Sequence, residues 1–176
     1  MKQKARFSGL FYPKDPEELR ATIHYLYEKV ADKSCQNVTG LISPHAGYGY
    51  SGMQAAAACI NIKEKKPKRC VIIGPSHRYT FDGASVLGKD VYQTPLGDVV
   101  VDQECVKKCI ESQAYMSSVS QAYENEHSIE VILPFLQVVY PEIQILPIVM
   151  GTYSMDSLCV ISDRLVSICD PDETVI

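Results

Sequence analysis

Two short apolar runs, at residues 38–43 and 70–73, constrain this chain most, because each stops at a proline-containing turn that ends in a histidine. The first leads into Pro44-His45 and the second into Gly74-Pro75-Ser76-His77. Both runs are too short for a helix and suit strands buried on both faces. After the first comes the loop HAGYGYSG and then an alanine-rich stretch whose composition predicts a helix over 53–62, packed close against something flat. This is a βα unit, and the polar turn at 63–68 leads into the next strand.

The rest of the chain continues the alternation. Asp15-Pro16 with Glu18 reads as a capped helix start, followed by Leu19, Ile23, Leu26 and Val30 on one face. Residues 84–87 and 99–101 read as strands around a turn at 94–98, and Asp102 caps a helix carrying Val106 and Ile110. Residues 128–139 have helical spacing, with Pro134 expected to kink them. A strand at 145–150, a helix over 155–168 and the start of a strand at 174–176 follow. This order implies one α/β domain over 1–176, a three-layer αβα arrangement around a mainly parallel sheet. Because the last strand only begins, the sequence is expected to be a C-terminally truncated version of a longer domain.

Composition narrows the function classes. With 17 Lys and Arg against 21 Asp and Glu, the net charge is −4, so there is no basic surplus for nucleic acid or anionic lipid. The longest apolar stretch, 131–140, is broken by Pro134 and Gln137 and falls short of the roughly 20 residues of a membrane helix. The basic opening MKQKARF is followed by no apolar run, so the signal-peptide pattern fails and a cytoplasmic location is expected. Seven cysteines, at 35, 59, 70, 105, 109, 159 and 169, include no Cys-x-x-Cys and read mostly as buried thiols. Cys105 and Cys109, four apart on a helix, read as a small apolar face rather than a metal pair. Dinucleotide, P-loop and nucleophile-elbow motifs are absent.

In an open α/β sheet, ligands bind beyond the carboxyl ends of the strands. His45 and His77 fall at that edge in equivalent positions, which points to a metal held between two loops by neutral imidazoles. The plainer account of either histidine alone is a helix cap or a bond to a loop carbonyl. Two nitrogens do not complete a site, so a third donor is needed. His127, in the stretch Glu126-His127-Ser128-Ile129-Glu130, is a candidate third ligand, a general acid or base, or a partner held by Glu126. Equally, that stretch reads as an ordinary first helical turn, with Glu126 and Glu130 on one helix face. The glycines at 47, 49 and 52 offer backbone amides to an anion, or serve close packing alone.

PHAGYGYSG at 44–52, GPSH at 74–77, TPLGDVVVD at 94–102 and EHSIEVILPFLQ at 126–137 together resemble the Memo family. FSGLFYP at 7–13 and LPIVMG at 146–151 are similar to it as well. The resemblance implies a fold like that of class III extradiol dioxygenases, the LigB-type non-heme iron enzymes. It implies a metal-site cleft, iron with copper or zinc as alternatives, and redox chemistry of an oxidoreductase kind. By motif it makes His45 and His77 metal ligands and places His127, with Glu126, near the pocket in a catalytic role. For animal members it also implies a part in ErbB2-driven cell motility through phosphotyrosine peptides, so a non-enzymatic module for an anionic peptide is the alternative. The family's further His and Cys ligands lie beyond a strand that here only begins near Val175.

Overall fold

Two seven-residue strands, β2 (Arg69–Pro75) and β7 (Gln144–Met150), run parallel and in register, from Arg69 opposite Gln144 to Pro75 opposite Met150. They are the axis of a computed structural model that describes residues 1–30, 38–111 and 114–176. Cys35 lies outside the described residues. The remaining strands are β1 (Lys2–Gln3), β3 (Ala84–Val86), β4 (Val91–Thr94), β5 (Gly97–Val101), β6 (Met116–Ser117) and β8 (Thr174–Val175). The sheet order is β1-β4-β5-β7-β2-β8. Strand β5 flanks the first residues of β7, and β3 takes over beside its end with β6 on the far side. Among the described residues only the β4–β5 hairpin and the β3–β7 pair are antiparallel, so the sheet is mainly parallel.

Helices α1 (Pro16–Lys29), α2 (Tyr48–Ile60) and α4 (Leu133–Val139) pack on one another, and α3 (Gln103–Glu111) packs on α5 (Met155–Ile168). With the sheet between these two groups, the chain has the three-layer αβα fold expected of its alternating pattern. Local chemistry sets the helix starts. The Asp15 side chain accepts from the backbone N–H groups of Glu17 and Glu18 at 3.0 and 2.9 Å, and α1 then buries Leu19, Ile23 and Leu26. Asp102 accepts from Cys105 N–H at 2.9 Å, and α3 buries Cys105, Val106 and Cys109, the apolar face read from the sequence. In β7, Ile145, Leu146, Ile148 and Val149 are wholly buried, as a strand covered on both faces requires.

Three elements differ from the sequence reading. Residues 38–43 form no strand: they meet Ile176 through two backbone bonds, Leu41 N–H to Ile176 O and Ile176 N–H to Thr39 O, and Ile42 is 98% exposed. An apolar run becomes a buried strand only where neighbours flank it, and this one lies outside the body of the sheet. Helix α2 begins at Tyr48 rather than Met53, so the glycine loop is its first turn. A Cβ on Gly52 would stand 3.0 Å from Leu26, and that close approach of α1 outweighs glycine's poor helix propensity. Finally, Pro134 is the second residue of α4 instead of kinking a longer helix, because in the first turn its missing N–H costs nothing. Residues 128–132 are consecutive turns, so Glu126 and Glu130 share no helix face.

Candidate metal centre

Three imidazoles meet where the carboxyl end of β2 faces the start of α2. His45 comes from the extended segment before α2, His77 from the loop after β2, and His127 from the turns before α4. Ring centroids are 5.3 Å apart for His45 and His77, 5.7 Å for His45 and His127, and 4.6 Å for the stacked pair His77 and His127. One nitrogen from each ring lies within 4.8 Å of the others, a grouping able to hold one ion. The two histidines singled out in the sequence are thus brought together, and His127 joins them. His24 lies exposed on α1, as a surface residue.

Glu126 organises this centre. Its buried carboxylate accepts from the backbone N–H of His77 at 2.7 Å and from those of His127 and Ser128 at 2.8 Å each, and it faces His77 Nδ1 at 2.9 Å. Burial works against the charge, but these donors outweigh it and hold the carboxyl below its ordinary value. An ionised carboxylate only accepts, so in the neutral ring the proton belongs on His77 Nδ1 and Nε2 keeps its lone pair. Burial lowers the affinity of His45 and His127 for protons, and the neighbouring histidines reinforce that effect. Two of the three donors, His45 and His127, are therefore disposed to be neutral, the form that binds metal.

The scaffold brings these loops close. A Cβ on Gly74, at the end of β2, would collide with Ser128 Oγ, so glycine is what lets the His127 turn lie on the strand. Tyr48, on the first turn of α2, donates its hydroxyl to Val131 O at 3.0 Å and holds the far end of the same turns. Beside His45 lies a cavity of about 90 Å³ whose walls include Gly74, Ser128, Cys59 and Cys70. Burial pushes the Cys70 thiol up to about 12, so this sulfur stays protonated and unreactive. Three amides that the glycine loop could have offered an anion are already engaged: Tyr48 N–H donates to Phe11 O, and those of Tyr50 and Ser51 to Gly47 O.

Sequence reasoning missed the other wall of the centre. Phe7 and Phe11 stand 5.4 and 4.6 Å from the His127 ring, and 5.1 Å from each other. The spacing of two aromatics in an irregular segment carries no period that would have placed them; only their membership of the FSGLFYP motif marked the segment.

A three-layer α/β domain with a histidine cluster beyond its strand ends is the class that these features define. The chain matches the model of the Memo-like protein family over residues 3–176, and it belongs to that family. It is 38% identical over 160 residues to a MEMO1 family protein of Desulfurococcus amylolyticus, covering 85% of this chain and 56% of that protein. A MEMO1 family protein of Methanopyrus kandleri is 32% identical over 181 residues, covering 97% and 64%, and one of Thermotoga neapolitana is 38% identical over 152 residues, covering 80% and 55%. The chain therefore spans somewhat over half the length of these relatives.

Proposed function

We propose that His45, His77 and His127 form a metal centre, with iron as the expected ion and copper or zinc as alternatives. The observation that carries this reading is the convergence of three imidazole nitrogens within 4.8 Å from three separate segments of the chain. An all-nitrogen donor set suits each of these metals, and three protein ligands leave positions open for another group. Iron or copper held there would supply one-electron and oxygen chemistry of an oxidoreductase, within a cleft like that of the non-heme iron dioxygenases.

The chain's own residues divide the work. His45, His77 and His127 each offer one nitrogen, and Glu126 fixes which nitrogen of His77 is offered. This makes His127 a ligand in preference to a proton carrier, and Glu126 a positioning residue in preference to a catalytic acid. Small molecules that reach the open side of the cluster are the proposed substrate class. Metal content of the purified chain, compared with a His45→Ala/His77→Ala double variant, tests the reading. Stoichiometric metal in the parent and its loss in the variant are expected; equal content in both rejects the centre.

A further inference from the structure

We propose that Glu130 is a positioning residue for the three-histidine centre, acting through the N-terminal segment 6–12 to hold Phe7 and Phe11 against His127. The inference rests on reading that cluster as the functional centre. Glu130 is 1% exposed, and among the described residues its carboxylate spends its bonds on one distant segment. Oε2 accepts from Arg6 N–H at 2.9 Å, and Oε1 accepts from Phe7 N–H at 2.8 Å and from the Tyr12 hydroxyl at 2.6 Å. Three donors across more than a hundred residues of sequence converge on one buried side chain.

Between those anchor points the segment turns on itself. Leu10 and Phe11 N–H groups donate to Phe7 O at 3.0 and 2.9 Å, and Gly9 N–H donates to Tyr12 O at 2.8 Å. The tight loop leaves Phe7 and Phe11 edge-on to each other, both against the His127 imidazole. Its outer end is tied to α2 through Phe11 O, which accepts from Tyr48 N–H at 2.7 Å. Close packing requires this: a Cβ on Gly47 would come within 3.2 Å of the same carbonyl. His127 therefore sits between two carboxylates with separate duties. Glu126 fixes the backbone of His127 and the ring of His77, while Glu130 supplies the aromatic wall on the other side.

A buried carboxylate costs several kcal/mol to desolvate unless donors satisfy it. A packing role alone would be filled as well by leucine or methionine. What the carboxylate adds is a fixed loop conformation, hence one orientation of the imidazole and a water-excluding wall beside it.

The test uses the full chain, metal-free and with Co(II) as the probe metal. In the metal-free parent, the His127 ring protons lie in the ring-current field of Phe7 and Phe11. Glu130→Gln places an amide donor where an accepting oxygen stood. It is expected to move the His127 ring resonances toward those of free histidine and to weaken Co(II) binding by roughly ten- to a hundredfold. Methyl resonances of Ile145 and Leu146 in the core are expected to stay in place, which separates positioning from general destabilisation. Tyr12→Phe removes one of the three donors and is expected to act in the same direction by less; it carries the test if the glutamine variant does not fold. Unchanged His127 resonances in the folded variant overturn the proposal. If the parent binds no Co(II), the metal reading fails, while the His127 resonances still decide the role of Glu130.

Discussion

Glu126 and His77 are joined twice, through the backbone N–H at 2.7 Å and through ring Nδ1 at 2.9 Å, so one carboxylate fixes both where the imidazole hangs and how it is turned. A single bond would leave the ring free to rotate about its own side-chain torsions. Two bonds from one acceptor leave Nε2 aimed away from the carboxylate.

Loss of that double bond has a measurable consequence. Glu126→Gln turns one accepting oxygen into a donor facing an N–H, and the tautomer of His77 is no longer imposed. Metal affinity, read by competition with a chromophoric chelator, is expected to fall by roughly ten- to a hundredfold, the usual effect of removing a partner that orients a ligand. Unaltered affinity in a folded variant would mean that His77 does not depend on this carboxylate for its orientation.

Acid stability should depend on Asp102. Its carboxylate caps α3 through Cys105 N–H and pairs with Arg69 Nε at 2.7 Å. Burial works against ionisation, but the Cys105 N–H and the Arg69 guanidinium overcome it and lower the carboxyl below its ordinary value. A native value below the unfolded one, about 3.9 for aspartate, means that the contribution is complete above that pH and is lost as pH falls through the native value. Asp102→Asn should therefore cost about 3 kcal/mol at neutral pH, with the difference from the parent shrinking toward strong acid. Urea titrations at several pH values measure this; a difference that does not shrink with acid excludes the carboxylate's charge as the cause.

Much of this molecule is legible in the sequence where local signals and tertiary demands agree. Asp15 before Pro16 starts α1, and the apolar residues 145–150 mark the strand β7. His45 and His77 follow the same logic, since each stands just past a proline-bearing turn, and the structure brings them together. Legibility fails where long-range contacts decide. Gly49 and Gly52 read as loop, yet both lie in the first turns of α2, where Leu26 closely approaches Gly52. Glu130 read as a helix-face residue, yet its three donors come from the other end of the chain, and no spacing within residues 126–130 could announce them.

Residues 38–43 provide the sharpest contrast between pattern and environment. Their apolar character predicts burial on both sides, and Ile42 is instead 98% exposed on a segment whose Leu41 N–H and Thr39 O bond to Ile176. A buried isoleucine cut back to a small residue typically costs about 2–5 kcal/mol. An exposed one costs within about 0.5 kcal/mol, because no packed neighbours are lost. Ile42→Ser should accordingly leave the urea midpoint of this chain where it is. Leu41, half-buried against the cavity beside His45, should show a distinct loss when changed to alanine. A large loss from Ile42→Ser would place this segment inside the sheet after all, and His45 would then hang from a strand end, as the sequence pattern implies.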